Sequence, residues 1–105
     1  MPKVKSPTPS AVSRSVSTIG DHLGTWRKLR GLTAAEVADR AGIDARTVLS
    51  LEHGRGATLE NVLRVARALG VLDVITESLD PWNSEVGRMR AHELLPTRVR
   101  RSTRS

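Results

Sequence analysis

Apolar positions recur at helical spacing along most of the chain, and glycines punctuate them. Ile19, Leu23 and Trp26 recur at such spacing with Asp21, His22 and Lys28 between them, and the pattern stops at Gly31; this predicts a first helix starting near Thr18. Thr33-Ala34-Ala35-Glu36 has the form of a capping box, in which the threonine hydroxyl and the glutamate carboxylate each satisfy a backbone N–H left free at a helix start. A second helix therefore runs to Ala41, with Val37, Ala38 and Ala41 inward, and its two small alanines admit another helix at close range before Gly42 ends it. Asp44 is placed to cap a third helix through Val48 and Leu51 to Gly54. After the loop Arg55-Gly56-Ala57, Thr58 caps a fourth, whose stripe of Leu59, Val62, Leu63, Ala66 and Leu69 ends at Gly70.

The flanks are harder to read. Leu72, Ile75 and Leu79 fit a helical face whereas Val74-Ile75-Thr76 favours a strand; a fifth helix, stopped by Asp80-Pro81, is the better fit. Ser84 to Leu95 forms at most a weak helix with Val86, Met89 and Leu94 loosely aligned, and Pro96 to Ser105 reads as a disordered basic end. Met1 to Ser17 is rich in Ser, Pro and Thr with scattered apolar residues, and reads as a flexible arm. The expected organisation is all-α: an arm over 1–17, a five-helix domain over 18–80, and a basic C-terminal extension over 81–105, partly helical and then disordered.

Charge sharpens this division. Residues 1–17 carry three bases and no acid, 18–80 eight bases and nine acids, and 81–105 six bases and two acids, so the net +6 splits as +3, −1 and +4. The excess sits in the tails, which are either solvated ends or arms that touch phosphate. With 105 residues there is room for one small domain and little for an enclosed catalytic cavity. No cysteine is present, which excludes disulfides and thiolate metal sites, and no stretch approaches a membrane span or a secretory signal. The expectation is a soluble, cytoplasmic protein without membrane contact. His22, His53 and His92 are dispersed, Gly54-Arg55-Gly56 lacks the rest of a phosphate-binding loop, and the serine-rich stretches have no general base beside them to make a nucleophile, so neither an enzyme nor a metal or cofactor site is expected. Two tryptophans and no other aromatic are too few for a single-strand stacking platform, which leaves duplex DNA open.

Two short helices joined by a glycine-containing turn, one capped at Thr33 and the next starting at Asp44, have helix-turn-helix spacing, in which the second helix enters the major groove. Gly31-Leu32-Thr33, Glu36-Val37-Ala38, Ala41-Gly42-Ile43, Thr47-Val48, Leu51-Glu52-His53-Gly54 and Leu63 to Leu69 with Gly70 resemble the Cro and lambda-repressor (XRE) family of bacterial regulators over about Ile19 to Val71. The resemblance implies a lambda-repressor-like fold and a dimeric, sequence-specific transcriptional regulator, a repressor on an inverted-repeat operator of double-stranded DNA, associated with the nucleoid. It implies that Ala45, Arg46, Thr47 and Ser50 face bases, Arg46 as the main reader, since a guanidinium gives two hydrogen bonds to guanine. It implies backbone contacts from Thr33, Arg55 and Thr58 and from the N–H donors at Ala34, where the family often has glutamine. It also implies an ion pair of Arg27 with Glu52 clamping two helices, and leaves Arg30, Arg40, Arg64 and Arg67 to the solvated face. Within the family, the missing proline before the fourth helix and the basic C-terminus look similar to HipB-like antitoxins, which bind a HipA-like kinase toxin; Trp82, Met89, Leu94 and Leu95 are then candidate partner contacts.

Overall fold

The computed structural model describes residues 6–96. They form α1 (Ser10–Leu29), α2 (Ala34–Ala41), α3 (Ala45–Glu52), α4 (Leu59–Leu69), α5 (Leu72–Ser78), a single 3-10 turn (Pro81–Asn83) and α6 (Glu85–Leu94), with no strand among the described residues. The chain divides into two compact units, Met1–Leu72 and Asp73–Ser105.

In the first unit α2 packs against α3 and α4, and α1 against α3 and α4. Its core is made of Leu23, Val37, Ala38, Ala41, Val48, Leu51, Val65, Ala66, Leu69 and Val71. With no aromatic ring among them, each Val or Leu adds about 1.5–3 kcal/mol, and the cohesion is a sum of many small pieces. The Thr33 hydroxyl accepts from the Glu36 N–H at 3.1 Å while the Thr33 N–H donates to the Glu36 carboxylate at 2.8 Å, completing the capping box. Those hydrogen bonds hold the Glu36 carboxyl below its usual pKa, the backbone N–H of Thr33 contributing most. Gly42 and Gly70 end α2 and α4 at φ 73 and 79, which β-carbon-bearing residues resist.

Helix α1 starts at Ser10, with Pro9 in the N-cap position and no side-chain cap, and not at Thr18. The arm expected over 1–17 is therefore helical from Ser10 onward; its first five residues lie outside the described residues. The reason is that Ser17, Gly20 and Gly24 form a row of small residues on which α3 approaches α1 at backbone distance: a β-carbon on Gly20 would land on the Leu51 carbonyl oxygen, and Ser17 presses against Gly54. The helix is anchored there and propagates outward, where adding a residue costs less than starting a turn. Ile19 and Trp26, expected inward beside Leu23, are exposed, because the small-residue row takes the position facing α3. In α4 the expected Leu59 is also exposed, and the unnamed Val65 is buried in its place.

Two arginines expected on the solvated face are exposed and also bind helix ends. Arg30 stacks over Trp26 at 5.2 Å and donates to the Leu69 carbonyl at 3.0 Å, and Arg64 donates to the Ala41 carbonyl at 3.0 Å and to Glu60 at 3.0 Å. Each places a cation where the last carbonyls of a helix concentrate negative potential.

The segment 71–79 is helical from Leu72, not extended, although Val74 and Leu79 are exposed. In the second unit the Ser84 hydroxyl accepts from the Gly87 N–H at 3.0 Å and opens α6, which packs on the 3-10 turn; a β-carbon on Gly87 would strike the Pro81 carbonyl. Val86, Met89 and Leu94 are exposed, and the buried residue of α6 is Ala91. The expected disordered end lies outside the described residues from Thr97 onward.

Candidate functional site

Helices α2 and α3 are joined by Gly42, Ile43 and Asp44. The Ile43 N–H donates back to Ala38 at 3.0 Å and the Asp44 carboxylate accepts from the Arg46 N–H at 2.8 Å, so the turn is closed on both sides by hydrogen bonds. Val48 and Leu51 point into the core at 0% and 3% exposure, which fixes the opposite side of α3 outward. Arg46 lies there with 91% of its side chain exposed, and its 3.7 Å approach to Asp44 is a solvated pair of little energetic weight. Arg46, Thr47 and Ser50 share one shallow open groove with Asp44 and Gly56, so three of the four expected base-facing residues come together. Ala45 is half-buried and does not line that groove. Leu49 and His53, not placed on the base-facing side from the sequence, lie three and seven residues beyond Arg46 and are exposed on the same side; helical spacing from Arg46 was the signal that could have found them.

The expected backbone contacts sit at the starts of helices. Thr33 and Thr58 are the N-caps of α2 and α4, each hydroxyl accepting one helical N–H at 3.1 Å and keeping its own proton to donate. Ala34 begins α2, and its N–H finds no acceptor among the described residues, leaving the donor-rich end of the helix dipole open. Arg55 is exposed between Gly54 at φ 75 and Gly56 at φ 92, without a charged partner among the described residues. These positions supply N–H, O–H and guanidinium donors, groups of the kind that bind anions.

Arg27 and Glu52 hold α3 in place. The Arg27 Nε and Nη2 donate to the two Glu52 oxygens at 2.7 and 3.0 Å, and Nη1 donates to the Leu32 carbonyl at 3.0 Å. One guanidinium thus ties α1, the turn before α2 and the end of α3 together. Only 15% and 12% of the two side chains are exposed, so this pair is far less screened than a surface one. The hydrogen bonds to Glu52 push the Arg27 pKa further up, against an opposing effect of burial. Gly24 makes the room: a β-carbon there would stand 3.2 Å from the Glu52 carboxylate. No described helix is long and apolar enough to cross a membrane, and no group of three or more His, Asp or Glu among the described residues could hold a metal ion.

A family model described as helix-turn-helix matches residues 23–72. Over 45 residues the chain is 47% identical to an "Uncharacterized HTH-type transcriptional regulator" of Methanothermobacter thermautotrophicus, an alignment covering 42% of this chain and 65% of that relative. The chain thus spans a little under two thirds of the relative it matches. No solved structure gives a significant match. The matched stretch takes in the end of α1, the capped α2, the turn at Gly42, the outward α3 and all of α4. Residues 23–72 of this chain are thus similar to helix-turn-helix domains, in agreement with the resemblance read from the sequence.

Proposed function

We propose that the protein is a sequence-specific, double-stranded DNA-binding transcriptional regulator, a repressor that binds an inverted-repeat operator as a homodimer. The carrying observation is the outward side of α3, where Arg46 stands 91% exposed in a groove with Thr47 and Ser50. A helix presented this way fits the major groove, and Arg46 reads guanine there. Thr33, the N–H of Ala34, Arg55 and Thr58 hold phosphates on either side, fixing register without reading sequence. A single eight-residue helix reads few base pairs, so two copies on half-sites about 34 to 36 Å apart are needed for specificity. On this reading the protein works in the cytoplasm, on the nucleoid. Selection of duplexes from a random pool by the purified protein tests it: the expected product is an inverted repeat, and enrichment of no sequence refutes it.

Of the expected partner contacts Met89, Leu94 and Leu95 are exposed and Trp82 is half-buried, which supports a second reading, an antitoxin-like protein that also holds a HipA-like kinase. Removing residues 81–105 then abolishes kinase binding and spares operator binding; loss of both or of neither refutes it.

A further inference from the structure

The outward side of α3 carries one large apolar residue. Leu49 is 40% exposed, with Arg46 a turn before it, His53 a turn after it and Ser50 beside it, all three polar. The core draws on the other side of the helix, at Val48 and Leu51. Leu49 lends its backbone to the helix end, its carbonyl accepting from the His53 N–H at 2.9 Å, while its side chain stays outside the core. Elsewhere on a surface a single exposed leucine needs no explanation. On a helix side that meets base edges it is a selective group, because it neither gives nor takes a hydrogen bond. The base-pair edges in the major groove present donors and acceptors and one hydrocarbon feature, the C5 methyl of thymine.

We propose that Leu49 reads the 5-methyl group of a pyrimidine next to the guanine held by Arg46. The inference rests on the DNA-binding reading above and names part of the sequence that is recognised. Two observations select this residue and this target. Ala45 is half-buried and lies off the groove shared by Arg46, Thr47 and Ser50, and Thr47 brings a hydroxyl along with its methyl. Leu49 is thus the side chain of α3 that offers hydrocarbon without a polar atom on the outward side. The spacing also fits. Three residues advance about 4.5 Å along a helix, so Arg46 and Leu49 project from neighbouring turns about 60° apart, against a step of about 3.4 Å between base pairs. The two side chains reach adjacent pairs of one half-site. A response to covalent marking of the DNA follows, because 5-methylcytosine carries the same methyl group in the same place as thymine. Cytosine methylated at this position gives Leu49 the apolar contact that plain cytosine lacks.

Deleting one methyl group from the DNA tests this without touching the protein. The full chain is titrated with the operator it selects from a random pool, each thymine of the half-site being replaced by uracil in turn. At one thymine, beside the guanine where Arg46→Ala relaxes preference, the replacement is expected to weaken wild-type binding about three- to tenfold per half-site. Methylating a cytosine placed at the same position is expected to strengthen binding by a similar factor. In Leu49→Ala both ratios fall to about one, whereas in Arg55→Ala both are kept. Each ratio is taken within one protein, so a general loss of affinity or of stability cancels. Uracil replacements that leave wild-type binding unchanged throughout a selected operator overturn methyl reading and leave DNA binding standing. Ratios that survive Leu49→Ala give the methyl contact to another side chain and overturn the assignment to Leu49. Enrichment of no sequence from the pool overturns both the assignment and the DNA-binding reading beneath it.

Discussion

Replacing Gly20 with alanine sets two effects of opposite sign against each other at one atom. In an open helix the change stabilises by about 1 kcal/mol, because glycine loses more backbone freedom on folding. At Gly20 the added carbon lands on the Leu51 carbonyl oxygen and stands 3.2 Å from that of Glu52. Both obstacles are backbone, so no side chain can rotate away. Helices α1 and α3 must part, which loosens Leu23 against the core and draws Arg27 from Glu52. Overpacking of this kind costs about 1–3 kcal/mol, and the loosened ion pair places Gly20→Ala at the upper end or above. Net of the propensity gain, a loss of about 2 kcal/mol is expected, and a midpoint lowered by roughly 8 to 16 °C for a domain of this size. Urea and thermal unfolding followed by circular dichroism measure it, with the exposed Ser15→Ala on the same helix as a propensity control that is neutral or stabilising. A Gly20→Ala protein as stable as that control refutes the close α1–α3 crossing.

Arg46→Ala is expected to lose about 1–3 kcal/mol on the selected operator and to relax preference at one base pair per half-site, whereas Arg55→Ala weakens operator and random duplex alike and lowers the salt slope by roughly one. Titrations at several salt concentrations separate them, and an Arg46→Ala loss that is equal on every duplex makes Arg46 a phosphate anchor. Glu52→Gln, which leaves the Arg27 charge 15% exposed with only the neutral carbonyls of the new glutamine and of Leu32 as partners, destabilises by about 2–3 kcal/mol, and the double change Arg27→Met with Glu52→Leu recovers most of that; urea midpoints that fail to recover refute a pair that acts chiefly by matching charge. The lowered pKa of Glu36 gives α2 a contribution that is present above the ordinary carboxylate value and is lost as pH falls through the folded one. Glu36→Gln therefore removes part of the acid-side loss of stability, and an unchanged pH profile argues against that linkage.

Helix boundaries from α2 to α4 were legible because the residues that set them act locally. Thr33, Asp44 and Thr58 cap through their own side chains, and Gly42 and Gly70 take up positive φ, so no knowledge of the tertiary packing is required. The start of α1 was not legible. Its anchoring row is made of Ser17, Gly20 and Gly24, which hydropathy scores as nothing, while Ile19 and Trp26 made the apolar stripe look like the buried one. Periodicity locates a face and does not say which of two faces is inside. The same blindness hid Val65, which lies one residue from Ala66 and 2% exposed, and kept Leu49 and His53 out of the site. The roles of Arg30 and Arg64 depend on the carbonyls of Leu69 and Ala41, each more than twenty residues away, and nothing in the local sequence announces such a partner.

The two sides of α3 divide their labour so completely that they answer to different selective pressures. Val48 and Leu51, buried, and Glu52, tied to Arg27, fix where the helix lies. Arg46, Leu49 and His53 are exposed and contribute no core volume, so exchanging them shifts stability by about half a kcal/mol or less. On the proposed reading, a lineage can thus acquire a new recognition sequence through substitutions at these positions without passing through an unfolded intermediate, and the scaffold serves as an inherited frame on which binding preferences diverge.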